Sequence, residues 1–450
     1  MAGARAGTSA KLPAPLARAR IPVLVRQALV RLDAAGHRTW IVGGAVRGAL
    51  LGRPLAADLV DLATPATPQE VMEIFERVVP TGVEHGTVTV LLGAVRLEVT
   101  TFRGEGAYLD GRRPSSVTFH RDIDADLARR DFTVNAMAYD PLGRELRDPF
   151  GGRADLRRRV LRAVGDPAAR FGEDGLRPLR AARFAAQLGF DVDRATRAAI
   201  PGALPVVARV AAERVQSELE KLLLAEHAAR GLRLLESTGL LGVVLPAVGA
   251  LAPPLRSHAV AACAAAPPRL PLRLAALLHA QAAVEPPLAV ARRVRRALEA
   301  LRFPSAAAEE AAALVAEHGC LRDGGRVPPP SDGPSLRRLA ARLGRERLPA
   351  LLDLREADAR ALPGARARAE LRSLAALRRA SARALRGGPP LAPGDLALDG
   401  RAVMEALGLP PGPEVGEALR HLLDRCLDDP RRNRRGPLLE ELRAWWAARE

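Results

Sequence analysis

Apolar positions between Val23 and Gly36 (VLVRQALVRLDAAG) recur with the three-to-four-residue spacing of a helix face, and the short apolar run that follows, WIVGGAV from Trp40, predicts a strand. Further strand-like runs stand at Thr87–Gly93 (TVTVLLG), Val95–Phe102 (VRLEVTTF) and Ser116–Phe119 (SVTF). After Val160 such runs nearly vanish. Long Ala/Leu/Arg segments with helical spacing replace them, as in Leu179–Phe190 (LRAARFAAQLGF) and Ala211–Leu224 (AAERVQSELEKLLL). The shift predicts an α+β fold, with a mixed or antiparallel sheet and its helices over residues 21–160 and all-helical parts at 161–245, 246–385 and 386–450. Residues 1–20 read as a flexible basic leader. Proline pairs at 253–254, 267–268 and 286–287, and the tracts RVPPPSDGPS (326–335) and LRGGPPLAPGD (385–395), mark connections within the helical part.

Composition narrows this picture. A chain of 450 residues is too long for one core, and 48% hydrophobic with 26% charged residues reads as globular. Aromatic residues make up only 3%, so the cores must be built from Leu, Val and Ala. The net charge is +17 and almost wholly arginine, Lys11 and Lys221 being the only lysines. Such a surplus attracts polyanions and points to a nucleic-acid partner. Apolar runs are broken well short of the about 20 residues a membrane span needs, and the start lacks the apolar stretch of a secretory signal. Cys263, Cys320 and Cys426 stand apart with no CxxC, so no zinc site or disulfide framework is expected, and the place of work is expected to be the cytoplasm.

The chemistry concentrates in IVGGAVRGALLGRPLAADLVDLAT, Ile41–Thr64. A strand that ends in Gly43-Gly44 and opens a helix offers backbone N–H groups to a triphosphate, with Arg47 on that helix. Carboxylates follow at Asp58 and Asp61, and phosphoryl transfer with two metal ions needs such a cluster.

This segment resembles the signature of the class II tRNA nucleotidyltransferases, the family of the CCA-adding enzymes and bacterial poly(A) polymerases. The later segments LEVTTFRGEGAYLDGRRPSSVTF, ARRDFTVNAMAYDPLGRELRDPFGG, RFGEDGLRPLRAARFAAQLGF and AAERVQSELEKLLL match the family's remaining blocks in order, and the segment from Asp395 to Asn433 resembles its C-terminal block. The resemblance implies a nucleotidyltransferase head followed by a helical neck, body and tail, on the boundaries above. It implies that Asp58 and Asp61 hold Mg²⁺, with Glu98 as a supporting carboxylate. Arg129, Arg130, Asp131 and Asn135 match the block that lines the nucleotide's sugar and phosphates. Glu173, Asp174 and Arg177 match the EDxxR block, whose Asp and Arg read the incoming base, and their spacing places Asp174 and Arg177 on one helix face with Arg180 and Arg183 continuing it. Tyr108, Asp110, Arg112 and Arg113 fall in the family's flexible loop. The implied partners are CTP, ATP and the 3′ end and acceptor stem of tRNA, with no membrane.

The departures fall on the active site. Leu59 and Val60 separate Asp58 from Asp61 where the family has one residue, and residues three apart on a regular strand face opposite ways. A β-bulge would restore a shared face. Gly48 stands where the family commonly has Asp, and Pro178 in the base-reading helix is tolerable only within a turn of a helix start near Glu173. Complete CCA, CC-only, A-only or poly(A) addition all stay open, as does an RNA-binding homologue with impaired catalysis. The segment LPLRLAALLHAQ faintly echoes the HD phosphohydrolase domain found in some bacterial members, but the paired residues read His279-Ala280. His258, His279 and His318 are therefore expected to be ordinary helix residues.

Overall fold

A computed structural model describes residues 12–105, 117–280, 286–318 and 332–449. The chain divides into two compact units, Met1–Val244 and Leu245–Glu450.

The first unit is built on a mixed sheet of seven described strands in the order β3-β4-β5-β2-β1-β8-β9. These are β1 Trp40–Val42, β2 Asp61–Thr64, β3 Val78–Gly82, β4 Thr87–Leu92 and β5 Val95–Thr101, then, past β6 Arg103–Glu105 and β7 Val117–Phe119, β8 Ala138–Asp140 and β9 Glu145–Arg147. Of the run expected from Ser116, the described residues Val117–Phe119 form β7, which among the described residues pairs with β6 in a separate ribbon. Strand β1 lies antiparallel between β2 and β8, while β2 runs parallel to β5. Every residue of β1 is buried, as a continuous apolar run in a central strand requires. Trp40 and Val42 pack with Ala63, Phe102, Leu127, Ala136, Ala138 and Val164 into one cluster.

The expected strand over WIVGGAV ends at Val42. Gly43 has φ +67°, and the helix Gly44–Leu50 starts at once. The positive φ is what calls for glycine at this turn; a Cβ there would also lie 2.9 Å from Arg130 Nη1, the movable end of a long side chain.

Helices complete the unit. Pro167–Glu173 begins under an Asp166 cap whose carboxylate accepts from Ala169 N at 2.9 Å. It ends at Glu173, and a new helix, Leu176–Leu188, begins three residues on and stops at Gly189 with φ +68°. Ala212–Leu223 and Ala228–Ser237 pack against it.

The second unit is helical throughout its described residues. Pro253 and Pro287 occupy the first position of the helices Pro253–Ala265 and Pro287–Ala300, where a missing N–H costs no intrahelical bond. Ser305–Glu317, Arg347–Arg360 and Gly364–Ala384 follow, and Gly400–Leu407, Pro413–Asp428 and Arg435–Ala447 close a separate cluster around Val403, Leu422, Leu438 and Leu442. Arg337 donates to the carbonyls of Leu427 and Asp428 at 2.7 Å each, capping the end of Pro413–Asp428. Cys263 and Cys426 are buried core residues, and burial pushes their thiols up to about 12 and about 11. Among the described residues no helix is long and apolar enough to cross a membrane.

Candidate active site

The parallel register of β2 and β5 sets Asp61 directly beside Glu98. Registered neighbours on adjacent strands point to the same face, so the two carboxylates share one face of the sheet, at the edge where β2 begins. Partial burial and the charge of Glu98 push the Asp61 carboxyl above its ordinary value, against the pull of Arg130.

Asp58 arrives differently from the expectation. No β-bulge forms at this point; Ala57–Leu59 make a single 3₁₀ turn closed by Leu59 N donating to Ala56 O at 3.1 Å, and the strand begins only at Asp61. The turn lies against β5. Leu59 and Val60 are thereby absorbed before the ladder starts, Leu59 exposed and Val60 buried, and the alternation of faces along a strand does not apply to Asp58.

Beside this edge opens a cleft of about 560 Å³. It is lined by Gly43, Gly44 and Asp61 and by seven arginines, Arg47, Arg129, Arg130, Arg177, Arg180, Arg183 and Arg214. So dense a gathering of like charges needs internal order. Asp131 provides part of it: it accepts from Arg180 Nε at 2.7 Å, from Asn135 Nδ2 at 2.9 Å and from Phe132 N at 2.8 Å. Burial alone would raise its carboxyl, but these partners outweigh burial and hold it below the ordinary value. Asn135 passes the order on, its Oδ1 accepting from Arg47. Asp126 fixes Arg129 at 2.8 Å and Arg130 at 3.1 Å, leaving Arg130 Nε buried without a partner among the described residues. Arg47, Arg180 and Arg183 gather over the Phe184 ring, at 5.0, 5.4 and 3.8 Å from its centre. Burial, reinforced by Arg183, Arg53 and Arg180, pulls the Arg47 guanidinium down to about 10 despite Asp131.

A family model described as "Poly A polymerase head domain" matches residues 39–162, and one described as "Probable RNA and SrmB- binding site of polymerase A" matches residues 189–251. The CCA-adding enzyme of Geobacillus stearothermophilus is 38% identical over 395 residues, which span 86% of this chain and 88% of that one. The chain belongs to the CCA-adding enzyme family. It is accordingly a nucleotidyltransferase. The crystal structure of the Bacillus stearothermophilus CCA-adding enzyme in complex with CTP superimposes with a TM-score of 0.73 at 33% identity, covering 97% of this chain and 99% of that one. The Thermotoga maritima CCA-adding enzyme complexed with tRNA_CCA, at 20% identity and a TM-score of 0.65, covers 97% of this chain and 99% of its own and shares the fold.

In this CCA-adding family member the EDxxR block is arranged otherwise than its spacing suggested. Glu173 closes one helix, Asp174 is extended with φ −139°, and Arg177 belongs to the next helix. Asp174 and Arg177 therefore do not share a helix face; they meet because a two-residue joint folds between them. Gly175 makes the joint possible, since a Cβ there would stand 2.6 Å from the Val206 carbonyl oxygen. The same break explains Pro178, which falls in the first turn of Leu176–Leu188, where no intrahelical N–H bond is lost. Arg177 is held from three sides: it donates to Arg170 O at 2.8 Å, to Arg129 O at 2.9 Å and to Glu173. Arg180 faces Asp131, and Arg183 faces Glu218 and Gln187. Reasoning from sequence missed Arg214, which pairs with Asp174 at 3.0 Å across 40 residues, and Phe184, on which the arginines rest. Tyr108, Asp110, Arg112 and Arg113 lie outside the described residues.

Proposed function

We propose that this chain lengthens the 3′ end of tRNA with C and A from CTP and ATP, without a nucleic-acid template and in the cytoplasm. The observation that carries this reading is the convergence on one cleft of the Gly43-Gly44 turn, Asp61 with Glu98 registered beside it, and Asp174, Arg177 and Arg214. In this reading residues 21–160 form the head that holds the triphosphate, 161–245 the neck that reads the base, and 246–385 and 386–450 the body and tail that grip the acceptor stem through arginine surfaces.

Enzymes of this family generally use divalent metals. The donor set fits one here: burial and the neighbouring Glu98 both raise the Asp61 carboxyl, and a cation would offset both. Asp61 and Asp58, with Glu98 in support, would hold Mg²⁺, which would supply charge neutralisation at the triphosphate and a more acidic 3′-hydroxyl. The chain's own residues do the positioning. Backbone at Gly43 and Gly44 admits the phosphates closely, and Arg47, Arg129 and Arg130 pair with their oxygens. Asn135 holds Arg47 and Asp126 holds Arg129 and Arg130, while Asp131 and Asn135 keep lone pairs for ribose hydroxyls. Asp174, freed from Arg214, offers an acceptor to the base edge, and Arg177 offers donors. The 3′-hydroxyl then attacks the α-phosphorus in line, and pyrophosphate leaves.

The test is incubation of purified protein with Mg²⁺, the four triphosphates singly and together, and tRNAs ending before, within and after CC, with product length read on a sequencing gel. Addition of C, C and A that then stops is expected. CC alone, A alone or a long A ladder would assign one of the related activities instead. No addition despite tRNA binding would overturn catalysis and leave an RNA-binding homologue whose Asp58, on its 3₁₀ turn, has left the site.

A further inference from the structure

The three histidines of the second unit, expected as isolated helix residues, are brought together. His258 lies on Pro253–Ala265, His279 just past Leu270–Leu278, His318 just past Ser305–Glu317, and all three face Asp358 on Arg347–Arg360. His258 Nε2 is 2.7 Å and His279 Nε2 3.4 Å from the same carboxylate oxygen, Oδ1. Asp358 Oδ2 faces away from them, toward His318 Nε2 at 3.3 Å and Arg355. We propose that His258, His279 and Asp358 form a binding site for one divalent first-row transition ion, with Zn²⁺ as the fitting occupant.

The tautomers carry the argument. His279 Nδ1 lies 2.6 Å from the carbonyl oxygen of Ala276, so that nitrogen carries the proton and donates it. In the neutral ring Nε2 then holds a bare lone pair, aimed at a carboxylate oxygen that is also an acceptor. Two acceptors facing each other in a buried pocket repel unless a cation stands between them, and a backbone carbonyl behind the far ring nitrogen is the support that metal-bound imidazoles ordinarily have. The carboxylate is steadied in the same way, since Arg355 holds Oδ2 and leaves Oδ1 for the ion. Arg355 in turn reaches Glu370 at 3.3 Å, so one guanidinium faces two carboxylates and the cluster accommodates a dication.

The three ligand atoms lie within 4.8 Å of one another. Bonds of about 2.0–2.2 Å to Zn²⁺ hold tetrahedral ligands closer than that, so closure requires movements on the order of an ångström. His258, with 21% of its side chain exposed, is free to make them and marks the side from which an ion and a completing water enter. Imidazole donors select Zn²⁺ over Mg²⁺, so the site is chemically distinct from the carboxylate edge of the first unit. Ala280 beside His279 adds no carboxylate for a second ion. Such an ion would tie together the helices that carry its three ligands.

The experiment uses the full chain, free of any affinity tag, stripped with a chelator and dialysed against a small excess of Zn²⁺. One Zn²⁺ per chain is expected by elemental analysis in the parent, and none above background in His258→Gln, His279→Gln or Asp358→Asn. Co²⁺ in place of Zn²⁺ should give the visible bands of a four-coordinate ion in the parent alone. If Asp358→Asn fails to fold, His258→Gln, altered at a partly exposed side chain, keeps the comparison: chelator should lower the melting midpoint of the parent and leave that variant unchanged. Nucleotide addition with Mg²⁺ should persist in folded His258→Gln. Equal Zn²⁺ retention by parent and variants, or none by the parent, would overturn the site.

Discussion

Asp131 is the side chain on which the charge order of the cleft most depends, and its replacement by Asn tests that directly. The carboxylate is 7% exposed and accepts three hydrogen bonds, one of them from the guanidinium of Arg180. Asn can keep acceptors for Phe132 N and Asn135, but its amide presents donors toward Arg180, so the charge-assisted bond is lost. A hydrogen bond to a charged group contributes about 1.5–3 kcal/mol, and stranding a buried ionic partner costs more. Arg180 keeps 34% of its side chain exposed and recovers part of that from water, so a loss of about 2 kcal/mol is expected. The sequence holds three tryptophans, Trp40, Trp445 and Trp446. Replacing the last two with Phe leaves Trp40, within the sheet, as a fluorescence reporter of the first unit alone. Urea titrations on that background, closed into a cycle with Arg180→Met, give the coupling between the two side chains. Its pH dependence has a definite sign. The folded carboxyl is held below its unfolded value of about 3.9, so the stabilisation is fully present above that value and is lost as pH falls toward the folded one. The parent should therefore lose stability on acidification faster than Asp131→Asn. A coupling below about 0.5 kcal/mol, with parallel pH profiles, would refute Asp131 as the organiser of the arginines.

Asp61→Asn should remove nucleotide incorporation while tRNA affinity, measured by filter binding, stays within about twofold; retained turnover would remove Asp61 from the metal edge. Arg177→Ala should blur the choice among C, A, U and G in incorporation assays and also lower the melting midpoint, because the side chain ties Arg129 and Arg170 carbonyls to Glu173. Arg214→Ala, which releases Asp174 without opening those ties, should alter kcat/KM for CTP against ATP and leave the melting midpoint nearly unchanged. The affinity for tRNA should fall steeply as salt rises from 50 to 200 mM, by about 10³-fold or more if half a dozen phosphates are contacted, and a flat response would refute arginine-to-phosphate binding.

The parts of this molecule legible in the sequence are those that local pattern decides. The apolar run at Ile41-Val42 announced a central strand, the glycines after it a tight turn, and the loss of strand signals after Val160 the change to helices. What escaped depends on residues far apart. Asp58 could be judged only by asking where the ladder of β2 starts, and one 3₁₀ turn, not a bulge, accommodates the extra residue. Asp174 and Arg177 have helical spacing, but Gly175 packed under the Val206 carbonyl splits them between two segments. Arg214 sits on a strongly amphipathic helix and reads there as a solvated charge; only the fold carries it to Asp174. The histidines likewise read as three unrelated residues until their helices converge on Asp358.

A cleft whose cations are all guanidiniums also sets how the protein meets chemistry from outside. Amine-directed reagents, whether acylating labels, crosslinkers or reductive methylation, find only Lys11 and Lys221 among the side chains, and the described residues that line the cleft include no lysine. Lysine acetylation has nothing there to neutralise. Dicarbonyl reagents that cap guanidiniums should therefore inactivate the enzyme where amine reagents leave it working, and a bound triphosphate should shield it from them.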